Sequence, residues 1–243
     1  MKGSTYLRFE MLRTFRNRRF LVFSLAFPLI LFFSIAGAHR SATLGGISFP
    51  RYYMVGMASW GAMVSTISSG GRIAAERQLG WTRQMRITPL STRTYFGAKV
   101  LGGYLMALLT LSALYLAGTS LGVRMSASAW LTMTALLVID LIPFAVLGIL
   151  LGHLLKVDSL GPALGGVTTL FALLGGSWGP LATGGVFLAI VKCVPSYWLV
   201  QAGDTALGGS AWPPAEGWIV IAVWSIALAR IATVVYRRDT ERV

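Results

Sequence analysis

The sequence predicts an all-α membrane protein with six transmembrane helices, on three observations. Long apolar stretches alternate with short charged blocks. Only 12% of the 243 residues are charged, where a water-soluble domain carries roughly 25%. The Lys and Arg residues gather beside the ends of the apolar stretches. With 55% hydrophobic residues and a mean hydropathy of +0.69, the chain has too few charges to cover a water-facing surface. Its main solvent is lipid.

A helix crossing about 30 Å of hydrocarbon needs roughly 20 mostly apolar residues. Spans are expected at 20–38, 53–69, 100–121, 130–151, 160–174 and 217–235. The first is bracketed by Arg18-Arg19 and His39-Arg40, and the second is rich in Met, Gly and Ala. The fifth is short and ends at Gly175-Gly176; the sixth runs into Tyr236-Arg237-Arg238. Residues 181–191 are apolar but too few to span, so 177–215 are expected to form an outer re-entrant or interfacial segment. Some twenty polar-to-basic residues precede the first span, without a signal-peptide cleavage pattern after it. That span is expected to remain in the mature chain, and residues 1–243 read as a single transmembrane domain without internal repeats.

Six spans place both termini on one side. That side carries 17 Lys and Arg residues, and the other carries four: Arg40, Arg51, Arg124 and Lys192. Short basic segments stay in the cytoplasm during insertion, so both termini are expected there. The same distribution accounts for the net charge of +13 without nucleic acid, whose binding needs a basic face free to meet phosphates.

Catalytic chemistry finds no constellation here. One cysteine, Cys193, makes no internal disulfide, and with His39 and His153 it makes no zinc cluster. There is no H-E-x-x-H. Gly176-Ser177-Trp178-Gly179 has the wrong order for a nucleophile elbow, and both histidines precede it. No metal site, catalytic residue or bound cofactor is expected. The pairs Gly70-Gly71, Gly102-Gly103, Gly165-Gly166, Gly175-Gly176 and Gly184-Gly185 suit close helix approach or breaks.

Residues 6–19 read either as an interfacial helix, with Leu7, Met11 and Phe15 on one face and Leu12 beside them, or as a basic flank that sets topology. Asp140 lies mid-span, three residues before Pro143. A carboxylate at that depth is costly unless paired or facing a cavity. It either serves substrate binding or proton relay, or locks helices together. Phe32, Met57, Trp60 and Met63 could line an adaptable apolar path with it, or simply face lipid.

The inner loop is the most informative segment. About thirty residues join spans two and three, where a helix–helix connection needs roughly 2–8. Residues 72–79 continue the second span and Gly80 permits a break. Residues 81–87 suit a short helix with Trp81 and Met85 on one face. Thr88-Pro89 ends that helix, and Ser91 is a good N-cap for the next. The loop is either a docking surface for a cytosolic partner or an amphipathic segment on the bilayer.

Glu76-Arg77-Gln78-x-Gly80, then Thr88-Pro89-Leu90-Ser91 and Gly97-Ala98-Lys99, resemble the "E-R-E-x-G-T … P-L-S … G-K" loop of type-2 ABC exporter permeases. Phe27-Pro28 is similar to that family's "F-P-L" element. Pro195-Ser196-x-Trp198, Asp204 and Gly208 resemble its loop before the last helix. Gln78 replaces the second acid and Trp81 the usual Thr, which leaves the charge at the docking contact open. The resemblance covers nearly the whole chain. It implies the permease subunit of an ABC exporter of the drug, antibiotic or lipid branch, in a bacterial inner membrane. It further implies a second permease copy, a homodimer before a heterodimer, and a separate ATPase that binds ATP and Mg. Residues 72–97 would then be the coupling-helix loop, with Glu76, Arg77, Gln78, Gly80, Trp81 and Arg83 at the ATPase contact. The sequence has no G-x-x-x-x-G-K-[ST] phosphate loop, so this chain is not expected to hydrolyse ATP. The alternative is a stand-alone secondary transporter driven by protons through Asp140, although the paired halves usual in such proteins are missing.

Overall fold

The computed structural model describes residues 3–16, 18–80, 88, 90–179, 184–208 and 214–241. Helix α1 (Gly3–Arg16) leads into α2 (Arg18–Ala38), followed by a hairpin of β1 (Thr43–Leu44) and β2 (Ile47–Ser48). Next come α3 (Phe49–Gly71), the short α4 (Ile73–Gln78) and α5 (Thr92–Ser120). The rest comprises α6 (Ala127–Asp140), α7 (Ile142–Leu154), α8 (Val157–Gly175), α9 (Gly185–Lys192), α10 (Pro195–Asp204) and α11 (Ala215–Glu241). The hairpin turns on Gly45 and Gly46, both at positive φ (57° and 81°), which a two-residue turn of that twist demands.

Four helical units are long and apolar enough to cross a membrane: α5, α6 with α7, α8, and residues 215–237 of α11. Helices α9 and α10, bent by 92° at their junction, make a fifth if taken as one broken span. This is a multi-pass helical membrane protein. Of the expected spans, 20–38 falls on α2, whose apolar part among the described residues is the shorter Ser24–Ala38. The span expected at 53–69 falls on α3. It is buried on almost every side, by α2, α5, α7, α8 and α10. A helix solvated by protein instead of lipid need not be apolar, so α3 carries Ser59, Ser65, Thr66 and Ser69, all buried. Ser59 and Thr66 return their hydroxyls to carbonyls one turn back, Val55 and Ala62.

Small residues let α3 approach its neighbours closely. A Cβ on Gly148 of α7 would collide with the Ile67 carbonyl, and one on Gly70 with the Gly148–Ile149 peptide. At the other end of α3, a side chain on Gly56 would strike the backbone of Ser177. The core around this helix includes Phe32, Met57, Met63, Leu111, Met133 and Phe144.

One element departs from the sequence reading. The fourth span is two helices, because Pro143 has no N–H to donate and its ring crowds the preceding turn; α6 ends at Asp140 and α7 starts two residues later. Helix α1 turns Tyr6, Glu10 and Thr14 inward and leaves Phe9, Leu12 and Phe15 exposed. The buried face of α1 meets the charged groups of Lys99 and Arg72 as well as the apolar side chains of Ile73 and Ala98.

Candidate functional site

Glu76 lies on α4, one turn beyond the break at Arg72, and is 1% exposed. Its Oε1 accepts hydrogen bonds from Arg13 (2.8 Å) and from Lys99 Nζ, and its Oε2 accepts one from the Tyr95 hydroxyl (2.7 Å). Lys99, in the early turns of α5, has a fully buried side chain and donates also to Glu10 Oε1 of α1 at 2.6 Å. Arg72 donates to Thr14 Oγ1 (2.8 Å) and Ser69 Oγ (3.3 Å), and stands 3.8 Å from Glu10. Ser69 completes the ring by donating to the Lys99 carbonyl at 2.9 Å.

Taking Lys99 out of water costs several kcal/mol, an amount that excellent geometry and extra hydrogen bonds can offset. Two carboxylates and a phenol hydroxyl arranged as above provide both. Tyr6, Ile73, Tyr95, Ala98 and Ile149 form an apolar cap around the cluster, which excludes water and strengthens each charge interaction. Burial pushes the Arg72 guanidinium below its usual range, and Glu10 and Glu76 oppose that shift. Burial likewise pushes the Tyr6 phenol up, and the same two carboxylates push it further.

Arg77, the next residue, faces another helix. It donates to the carbonyls of His153 (2.5 Å) and Gly152 (3.4 Å) at the end of α7. A cation there satisfies orphan carbonyls and complements the negative end of the helix dipole. The six residues singled out for the loop thus divide. Glu76 and Arg77 reach inward, to α1, α5 and α7. Gln78 and Gly80 are exposed, and Gly80 holds φ at +68°, the left-handed conformation common just past a helix end. Trp81 and Arg83, with the short helix expected at 81–87, lie outside the described residues.

No family model matches the chain. A protein of Bacillus subtilis (strain 168) named "Putative transport permease YvfS" is 26% identical over 238 residues, covering 96% of each chain. Over nearly its whole length, then, the chain is similar to a protein named as a transport permease.

Within the loop, Glu76 and Lys99 are a buried ion pair. Among the described residues, no group of three or more His, Cys, Asp or Glu could hold a metal. Glu10, Arg13, Arg72 and Tyr95 were missed as site residues. One signal was available: the chain has only eight acidic residues, and the first two, Glu10 and Glu76, converge on one lysine. The residues considered for a pathway sit elsewhere. Phe32, Met57, Trp60 and Met63 are packed in the core around α3. Asp140 is 1% exposed at the α6–α7 break, its Oδ2 without a hydrogen-bond partner among the described residues.

Proposed function

We propose that this chain is the permease subunit of an ATP-driven exporter, with six spans forming a single transmembrane domain and both termini in the cytoplasm of a bacterial inner membrane. It works beside a second permease copy and carries a hydrophobic or amphipathic cargo, drug-, antibiotic- or lipid-like, out of the cell. A separate ABC ATPase binds ATP and Mg and docks on the 72–97 loop. The single observation that supports this reading most is the Glu76–Arg77 step. Adjacent residues on one short helix grip Lys99 of α5 and the last carbonyls of α7. A push on that loop therefore reaches two long helices and, through Glu10 and Arg13, also α1. The name of the 26% identical relative, a transport permease, points the same way. The residues at 177–215 then close the outer end of the pathway, and the bent pair α9–α10 suits a segment that enters and leaves on one side.

The test is purification of the chain with ATPase subunits encoded beside it. Stable co-purification, lost on changing Glu76 or Trp81, supports the exporter; because Glu76 also holds the fold, the unfolding midpoint of its variant is measured alongside. Full transport without any ATPase, abolished by Asp140→Asn, sinks it. That second outcome belongs to a stand-alone proton-coupled transporter, a reading favoured only by the unpartnered carboxylate oxygen of Asp140.

A further inference from the structure

At the end of the bundle opposite the charge network, a cleft of 220 Å³ lies between α3, α10 and the end of α8. Tyr197, Gln201 and Asp204 share one face of α10 at helical spacing and line it, opposite Tyr52 and Gly56 of α3 and Gly175 of α8. Asp204 accepts one hydrogen bond, from Gln201 Nε2 at 3.0 Å, and has no cationic partner among the described residues. Lys192, at the end of α9, stands 3.9 Å from Glu216 instead. Tyr52 and Tyr197 line the same cleft as the Asp204 carboxylate.

A half-buried carboxylate without a cation, flanked by two electron-rich rings, has the chemistry that attracts a cation poorly solvated by water. An inorganic ion would want several oxygen ligands, and one carboxylate does not supply them. An organic ammonium wants one negative charge and aromatic faces. The volume decides how much of a molecule enters, since drug-sized pockets run to roughly 300–1,000 Å³. This one holds a headgroup, leaving an apolar tail in the surrounding bilayer.

We propose that the cleft bounded by Tyr52, Tyr197, Gln201 and Asp204 binds the ammonium headgroup of an organic cation, at the outer end of the pathway. The placement at the outer end rests on the exporter reading above; the binding itself does not. Asp204 provides the charge, Gln201 holds its carboxylate in place, and the two tyrosines embrace the headgroup.

The experiment uses the full chain in lipid nanodiscs with radiolabelled benzyltrimethylammonium. Saturable binding is expected, weakened about tenfold or more by Asp204→Asn, a loss of about 1.4 kcal/mol or more. Unlabelled neopentylbenzene, the neutral isostere, and sodium ion should not displace the label. Tyr52→Leu should weaken binding as well, and it carries the test should Asp204→Asn lower the thermal unfolding midpoint. Absence of saturable binding, equal affinity in the folded variants, or displacement by the isostere or by sodium would each overturn the proposal. Cation binding without ATPase co-purification would fail the exporter reading and leave the cleft assignment standing. Co-purification without cation binding would do the reverse.

Discussion

Lys99 and Glu10 meet at 2.6 Å inside the protein, 89 residues apart in sequence. The contact clips α1 to the first turns of α5, and through Glu76 the same lysine holds α4. Three elements therefore depend on one buried ammonium, and its removal is the sharpest test of the arrangement.

Lys99→Met leaves two carboxylates buried beside each other. A loss of about 3–5 kcal/mol is expected, as for breaking a buried pair from one side. Thermal unfolding of the purified protein in a fixed detergent measures it. A change below ~1 kcal/mol, the scale of an exposed pair, would show that water already screens the cluster.

Arg77→Gln removes both bonds to the α7 carbonyls and the positive charge beside that helix end. The expected cost is about 1–2 kcal/mol, with Arg77→Lys recovering part of it, because charge survives but the planar fork does not. Hydrogen exchange should quicken in the last turn of α7 in the Gln variant. Unchanged exchange there would count against the cap.

Gly148→Ala forces a methyl group into the Ile67 carbonyl across the α3–α7 crossing. Overpacking of this kind costs about 1–3 kcal/mol, and the helices must part to relieve it. Gly166→Ala in α8 is the control: nothing lies within 4 Å of its added Cβ. There the helix propensity of alanine should stabilise by up to ~1 kcal/mol. The two unfolding midpoints should move in opposite directions.

Tyr6 predicts an alkaline limit. Its folded pKa is raised above the ordinary 10.0, so the folded state holds the proton more tightly than the unfolded chain. The stability this contributes is complete below pH 10 and falls as the pH rises above it. Tyr6→Phe should leave stability at pH 7 nearly unchanged, since the Tyr6 hydroxyl has no hydrogen-bond partner among the described residues. The variant should lose less between pH 10 and 11 than the parent. Equal slopes for the two proteins would refute the assignment.

Much of the helical layout was legible because hydropathy and charge are properties of single positions. The stretch at 100–121 falls on α5, and that at 217–235 falls on α11. Local chemistry was legible too: Ser91 caps α5 by accepting from the Thr94 amide, and Gly80 adopts the left-handed conformation that ends α4. The inward face of α1 was not legible from its own residues, because what makes it inward is its partners. Glu10 faces inward to Lys99 of α5 and to Arg72 at the break between α3 and α4, partners that no local window contains.

By itself, the sequence determined a lipid-solvated helical chain, the approximate place of its apolar helices, and a segment at 72–97 too long to be a simple connection. Each follows from transfer energies and turn chemistry that neighbouring residues settle among themselves. Only the tertiary structure decided that α3 is wrapped by protein, that Glu10, Glu76 and Lys99 share one buried site, and that Arg77 caps α7. Burying a charge is a pairwise matter: whether it stabilises or destabilises depends on what stands opposite, and for Lys99 that is fixed by the packing of three helices.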